Sequence, residues 1–374
     1  MEKVGCYIHI PFCHKKCYYC DFCAYMNVEH RIDSYIDNLC GEIDLYQDRI
    51  DVNIDSIYIG GGTPSYIDPK YIERIVNKLY GFKIDNLKEF TIECNPNSIS
   101  REKLLIYKDL GINRISLGVQ SFDDKVLKKI GRDHTSDIAL ADIDLIYDVG
   151  FDNLSFDLML NLPGQDFDSV KRDLEIVKQI SPQHISWYSL IVEEGSRFYA
   201  LDKKGELKLM DDDLEIDIFS YLIENLSNIG LERYEISNFA KKGYQSYHNK
   251  KYWHGDGYIG FGMSAAGFLG DYRYQNTKNF IHYGNMIGEN KLPIEDWSFV
   301  NSEEREKDYI IFKLRETEGI NLREFENKFN RSFLEKYKDQ IEKFKDLGFY
   351  VIDDNFYFTE NGMNLSNEFL VNII

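Results

Sequence analysis

The sequence predicts an α/β protein, a partial (β/α)6 barrel followed by a small α+β domain. Three observations predict it. Six short β-rich runs lie next to Gly or Pro stops, stretches of helical apolar spacing separate them, and the informative polar residues fall at or near strand ends.

Val4–Ile10 is the first strand, stopped by Pro11 and followed by a cysteine-bearing loop. Ser56–Ile59 is the second, closed by Gly60-Gly61-Gly62-Thr63-Pro64, and Phe90–Cys94 is the third, closed by Asn95-Pro96. Arg114–Val119, Leu154–Leu160 and His184–Val192 complete the set, after Gly111, Gly150 and Ser181-Pro182 respectively. Helical spacing runs over Ile32–Tyr46, Pro69–Leu79, Arg101–Leu110, Ser136–Val149 and Asp168–Ile180. Asp168 adds an acidic first turn, and Gly111 is a C-cap for the helix before it. Strands alternating with helices imply a parallel sheet with right-handed crossovers. Residues 1–200 are therefore read as the barrel, 201–301 as its extension and 302–374 as a separate domain.

The chain has 374 residues, more than the ~150 of one typical domain. Its formal net charge of -19 argues against nucleic acid or an acidic membrane as partner, because both demand clustered positive charge. No run of about 18 apolar residues offers a transmembrane helix. The start, Met1-Glu2-Lys3-Val4, lacks a signal-peptide pattern, so a cytoplasmic location is expected. In a reducing compartment, cysteines serve as metal ligands or buried apolar groups rather than disulfides.

Five of the 7 Cys lie in the first 23 residues, and Cys13, Cys17, Cys20 and Cys23 read C-x3-C-x2-C-x2-C. Four thiolates suit tetrahedral zinc, whereas three on a 4Fe–4S cluster leave one iron open for a substrate. Glu93, Gln120 and Asp157 share the C-terminal face of the barrel with this loop and with Gly61-Gly62-Thr63. That is where such barrels build their sites, and a zinc ribbon has no use for it. Each group has a structural alternative: a tight glycine turn, or hydrogen-bonded barrel fillers at Gln120 and Asp157. Glu93 in an apolar strand is costly to bury unless paired or ligand-bound.

C-x3-C-x2-C after a first strand and G-G-G-T-P after a second resemble the radical S-adenosylmethionine (radical SAM) superfamily. The run from Tyr7 to Cys20, Y-I-H-I-P-F-C-H-K-K-C-Y-Y-C, resembles the oxygen-independent coproporphyrinogen III oxidase-like group. The resemblance covers nearly the whole chain. It implies a radical SAM barrel with a 4Fe–4S cluster on Cys13, Cys17 and Cys20, and S-adenosyl-L-methionine (SAM) near Tyr7, Gly61, Gly62, Thr63, Glu93, Gln120, Arg132 and Asp157. Glu93 would meet the SAM ammonium and Arg132 its carboxylate. A reduced cluster would then break a carbon–sulfur bond of the sulfonium. Cys23 departs from the oxidase pattern, since Asp21-Phe22 precedes it, and it is read as a non-ligand.

Two features separate oxidase from chaperone within this group. The Y-x-H-I-P-F-C strand begins almost at residue 1, without the extension that precedes it in oxidases. Further on, His248-Asn249-Lys250-Lys251-Tyr252-Trp253 resembles the H-N-x-x-Y-W haem signature of HemW-type haem chaperones. The resemblance implies haem iron on His248, with His254 as an alternative ligand, and Tyr252 and Trp253 packed on the porphyrin. It implies haem-acceptor proteins as partners, an electron donor such as a flavodoxin or ferredoxin, and no oxidase activity; it also allows a homodimer. The alternative function is oxygen-independent coproporphyrinogen III oxidation. The Gly-rich run Gly255–Phe268 lacks the βαβ context of a dinucleotide fingerprint, and Ala265-Ala266-Gly267 stands where chaperones often carry Ala-His-Ser.

Glu303–Leu314 and Leu334–Leu347 read as helices, and Phe349–Ile352 with Phe356–Thr359 as a hairpin. They resemble the family's winged-helix-like C-terminal domain. Residues 305–374 hold 11 Lys+Arg against 14 Asp+Glu, net -3, which excludes nucleic acid and leaves haem or protein docking.

Overall fold

The computed structural model describes residues 1–373. Six parallel strands form the barrel wall in chain order: β1 (Glu2–Ile10), β2 (Val52–Gly61), β3 (Glu89–Cys94), β4 (Arg114–Gln120), β5 (Leu154–Leu160) and β6 (His184–Ser189). Between them run α1 (Ile32–Gln47), α2 (Pro69–Leu79), α3 (Arg101–Asp109), α4 (Asp124–Lys129), α5 (Ser136–Val149) and α6 (Phe167–Ile180). The expected α/β architecture is present. α2 begins at Pro69 under an Asp68 cap, and α6 carries a reciprocal Asp166–Ser169 capping box.

β2 starts four residues before the expected Ser56. Its first residues alternate polar and apolar, yet Asn53 and Asp55 are buried as fully as their apolar neighbours. Both have partners distant in sequence: Asn53 accepts from the Asp85 amide, and Asp55 pairs with Lys251 at 2.9 Å.

After α7 (Arg197–Asp202) and α8 (Asp212–Ser227), β7 (Glu232–Arg233) and β8 (Asn238–Ala240) extend the β6 edge antiparallel. Helix α9 (Tyr247–His254) then leads into β9 (Tyr258–Phe261), which pairs parallel to β1 on the other edge. β10 (Ala266–Leu269), β11 (Tyr272–Asn276), α10 (Phe280–Gly288) and β12 (Ile294–Phe299) follow, and the strands close an order of β12-β11-β10-β9-β1-β2-β3-β4-β5-β6-β8-β7. The Gly-rich run is thus a strand–turn–strand. Gly260 has no room for a Cβ because the Ala266 carbonyl lies 2.0 Å from where one would be, and Gly262 turns at φ +96° over the His9 carbonyl.

One hydrophobic core runs from Val4 through Phe239 to Tyr283, so the segment 201–301 packs on the barrel rather than apart from it. Glu42 on α1 fastens the Gly-rich turn, accepting from the Gly262 amide, the Asn276 amide and the Tyr283 hydroxyl.

The C-terminal domain has its own core, from Tyr309 to Ile373. It contains α11 (Ser302–Lys313), β13 (Ile320–Asn321), α12 (Leu322–Phe329), α13 (Phe333–Lys336), α14 (Lys338–Lys343), β14 (Tyr350–Ile352) and β15 (Asn355–Phe358), with sheet order β13-β15-β14. The single helix expected over Leu334–Leu347 is broken at Tyr337 and ends in a 3-10 turn. Among the described residues, no helix is long and apolar enough to cross a membrane.

Candidate functional site

The strand ends converge on one open cavity. Gly61 from β2, Glu93 from β3, Gln120 from β4, Asp157 from β5 and Tyr188 from β6 reach it, and the loop after β1 brings Cys13, Cys17 and Cys20. With Gly62, Thr63 and Arg132, seven of the eight SAM-site residues expected from the sequence share this space with all three expected cluster ligands. A second open cavity adjoins it through Cys17, Thr63, Asn95 and Arg132. Together they offer an extended volume suited to an elongated ligand.

The cysteine loop is folded back by backbone hydrogen bonds from Cys13 to Tyr25 and from Tyr25 to Pro11. Cys13 Sγ sits 3.4 Å from Thr63 Oγ1, and a Cβ on Gly62 would lie 2.9 Å from that sulfur. Only glycine permits this approach of the β2 turn to the loop. Cys17 accepts from Arg132 Nη1 at 3.4 Å. Burial pushes the Cys13 thiol up and the Cys20 thiol up to about 11, so both would gain from a cation that takes the thiolate. Among the described residues, no three His, Cys, Asp or Glu side chains converge on a single-ion site. Cys23 lies outside the cavity, 3.9 Å from the Tyr25 hydroxyl.

Glu93 accepts from Tyr58 Oη at 2.8 Å and from the Gly61 amide at 3.0 Å. Burial still pushes its carboxyl up to about 7, with the neighbouring Asp157 adding to the shift. Asp157 itself is pushed up to about 6 by burial. Two buried carboxyls poised near neutrality are unfavourable in a bare fold and become favourable beside a cationic ligand. Arg132 donates to Asn95 Oδ1 at 3.0 Å and to the Gly118 carbonyl, while its buried Nε has no partner. An orphaned guanidinium donor in a cavity fits a carboxylate ligand. Gln120 is held at φ +71°, where β4 shifts register against β5, and its Oε1 accepts from Tyr188.

Tyr7 does not line the cavity. It stacks beneath on Tyr58 at 6.2 Å and bonds His9 Nδ1 at 2.9 Å, so it supports the floor. Asn95 and Tyr188 were not singled out from the sequence. Asn95 reads as part of an Asn-Pro strand stop, and Tyr188 as one more apolar strand residue. Only the rule that strand ends carry the site could have marked them.

The expected haem residues lie elsewhere. α9 starts at a Ser246 cap, and the buried Glu89 carboxylate accepts from Ser246 Oγ and the Tyr247 and His248 amides. This places His248 inside the barrel wall at 1% exposure. Its Nδ1 lies 2.9 Å from Ser56 Oγ and its Nε2 2.8 Å from Tyr252 Oη. Burial holds its pKa down to about 3. Both nitrogens of this neutral imidazole are engaged, so for His248 to meet haem iron one of these hydroxyl partners has to give way. His254 is also engaged, 3.3 Å from Glu316. Trp253 packs 6.2 Å from Phe312 with Arg315 over its ring, and Tyr252 lines a separate cavity against the C-terminal domain.

Comparison with known proteins agrees with these elements. Residues 7–177 match the radical SAM superfamily and residues 300–365 match the HemN C-terminal domain. The chain is 35% identical to the haem chaperone HemW of Bacillus subtilis (strain 168), over 97% of each chain. It is 36% identical to the haem chaperone HemW of Lactococcus lactis subsp. lactis (strain IL1403), over 96% of this chain and 94% of that one. The solved coproporphyrinogen III oxidase HemN from Escherichia coli superposes with a TM-score of 0.87 at 22% identity, covering 100% of this chain and 90% of that one, and so shares its fold.

Proposed function

The chain belongs to the radical SAM superfamily and, within it, to the HemW-type haem chaperones, and from that premise we propose that it binds haem and delivers it to haem-requiring proteins. In this reading Cys13, Cys17 and Cys20 hold a 4Fe–4S cluster, and SAM occupies the cavity at the strand ends. The observation that carries the cofactor assignment is the convergence of three cysteines, a glycine cradle, two raised carboxyls and an orphaned guanidinium on one space.

When bound, a 4Fe–4S cluster supplies one-electron chemistry at the sulfonium of SAM. The chain's own residues bind and orient. Glu93 would take the ligand's ammonium and Arg132 its carboxylate. Gly61 and Gly62 admit backbone close to the methionine portion, and Asp157 and Gln120 offer acceptors for hydroxyls. A cytoplasmic setting and an external electron donor such as a flavodoxin or ferredoxin belong to the same reading.

The test is haem transfer. Full-length protein with its cluster reconstituted is loaded with haemin and mixed with an excess of an apo-haem protein. The reading expects the acceptor's spectrum to appear faster than with free haemin. Retention of all haem on the chain, or no binding at all, would refute it.

A further inference from the structure

Two separate cores divide the chain, one for the barrel with its extension and one for the C-terminal domain. Charged contacts cross the seam between them. Glu316, just past α11, lies 3.3 Å from His254 and 4.0 Å from Lys250, both on α9. Arg315 sits 4.7 Å over the Trp253 ring and 3.9 Å from Glu235, with its buried Nε unpartnered. Asp308 on α11 pairs with Arg273 on β11 at 2.6 Å, and Arg305 pairs with Asp271. Phe312 adds an apolar contact, 6.2 Å from Trp253. A polar seam between separately packed domains can open and reclose without unfolding either.

α9 lies under this seam, and its inner face turns into the barrel. There the neutral His248 ring carries one proton and meets two hydroxyls. Tyr252 Oη donates to Nε2 at 2.8 Å, which puts the ring proton on Nδ1, 2.9 Å from Ser56 Oγ. A metal-binding histidine is built this way, with one nitrogen anchored by a hydrogen bond and the other offering its lone pair. Here the Tyr252 phenol stands where the metal would. Tyr252 is itself held in place. Its ring is edge-on to Tyr258 at 4.7 Å, and it lines the interdomain gap with Asp308, Tyr309 and Phe312 of α11. That gap is too small for a tetrapyrrole.

We propose that Tyr252 caps the iron-binding nitrogen of His248 and that the C-terminal domain holds the cap shut. Haem reaches His248 when α11 swings off α9 and the phenol leaves Nε2, while Ser56 keeps the imidazole in place. This gate rests on the haem-binding function proposed above and adds how access to its site is controlled. It also gives the rest of the signature helix a role. Lys250, Trp253 and His254 are the points at which the C-terminal domain grips α9. Glu316 is the centre of that grip, since its carboxylate meets Lys250, His254 and Lys313. Because haem takes only the open form, its apparent affinity follows the open fraction.

The test follows haemin uptake by full-length, cluster-bearing protein in stopped-flow absorbance and in equilibrium titration. Wild type is compared with Glu316→Gln, which loosens the grip, and with Tyr252→Phe, which keeps the ring and removes the capping hydroxyl. Lys291→Ala serves as a surface-charge control. Cluster content and thermal unfolding establish that each variant is folded. Glu316→Gln and Tyr252→Phe should each take up haemin faster and bind it about tenfold tighter, with the wild-type Soret maximum. Lys291→Ala should behave like wild type. Amide hydrogen exchange over α9 and α11 should be faster in Glu316→Gln than in wild type, and should quicken in wild type when haemin is added. Arg273→Gln, which breaks the Asp308 pair, serves if Glu316→Gln is unstable. Equal uptake and affinity in wild type and folded variants, or haemin binding with no change in exchange at the seam, would overturn the gate while leaving the function standing. Absence of haemin binding to wild type would sink both.

Discussion

His248 and Tyr252 are joined by a 2.8 Å hydrogen bond between Nε2 and the phenol, one turn apart on α9. The bond connects the barrel interior, where His248 lies 5.3 Å from the Tyr58 ring, to the interdomain cavity that Tyr252 lines. Tyr58 in turn donates to Glu93 in the cofactor cavity. A continuous line of side chains thus runs between the two cavities.

His248 is therefore expected to serve the closed fold as well as haem. His248→Ala should lower stability by about 2–4 kcal/mol, since it opens a cavity and leaves Ser56 and Tyr252 hydroxyls unpaired. Haem binding should weaken about tenfold or more, with a changed Soret maximum. An unchanged iron spectrum would show that another group holds the iron.

Glu89 should matter as much to the fold as any apolar core residue. Its carboxylate carries three donors of α9 and lies 3.9 Å from buried Arg114. Glu89→Ala should cost about 3–5 kcal/mol, the range for breaking a buried pair. Chemical denaturation measures it, and a loss below about 1 kcal/mol would contradict this role.

SAM affinity should depend on pH through Glu93. Its carboxyl is raised to about 7, and a cationic ligand prefers the ionised form. Affinity should rise with pH across about 5 to 7 and level off above. Glu93→Gln should bind SAM more weakly and flatten that profile. Calorimetric titration of the cluster-bearing protein at several pH values reads both.

The ligand-free fold should lose stability over a similar window. Glu42 and Asp173 are raised to about 7 by burial, as Glu93 is, so the native state holds more protons than the unfolded chain there. Their contribution is complete below the unfolded carboxyl values and is lost as pH rises through about 7. Glu42→Gln should reduce the slope of stability against pH between about 5 and 7. An unchanged slope would show that Glu42 does not titrate there.

The cluster assignment divides the four clustered cysteines. Cys13→Ala, Cys17→Ala and Cys20→Ala should each lose most iron and sulfide after anaerobic reconstitution. Cys23→Ala should keep both, because its sulfur lies outside the cavity. Iron loss in Cys23→Ala would add it to the ligands.

Much of the barrel was legible because each strand is an apolar run with a Gly or Pro stop. Pro69–Leu79 and Ser136–Val149 match the expected helices to the residue. The cofactor cavity was legible because C-x3-C-x2-C and G-G-G-T-P are local and strand-end position brings distant residues together. The reach of β2 back to Val52 was hidden, since Asn53 and Asp55 are polar yet buried through partners 32 and 196 residues away in sequence. The burial of His248 was hidden for the same reason: Ser56, Glu89 and Tyr58 surround it from other strands. Nor could sequence place Glu316 beside His254, because that contact exists only once the C-terminal domain has docked.

The central claim is that this radical SAM chain carries haem rather than making a haem precursor. The most direct measurement gives reconstituted protein, SAM and reductant either coproporphyrinogen III or haemin under anaerobic conditions, and follows porphyrin products and haem absorbance together. The account predicts stoichiometric haem binding and no protoporphyrinogen IX. Turnover of coproporphyrinogen III to protoporphyrinogen IX, without stable haem binding, would contradict it.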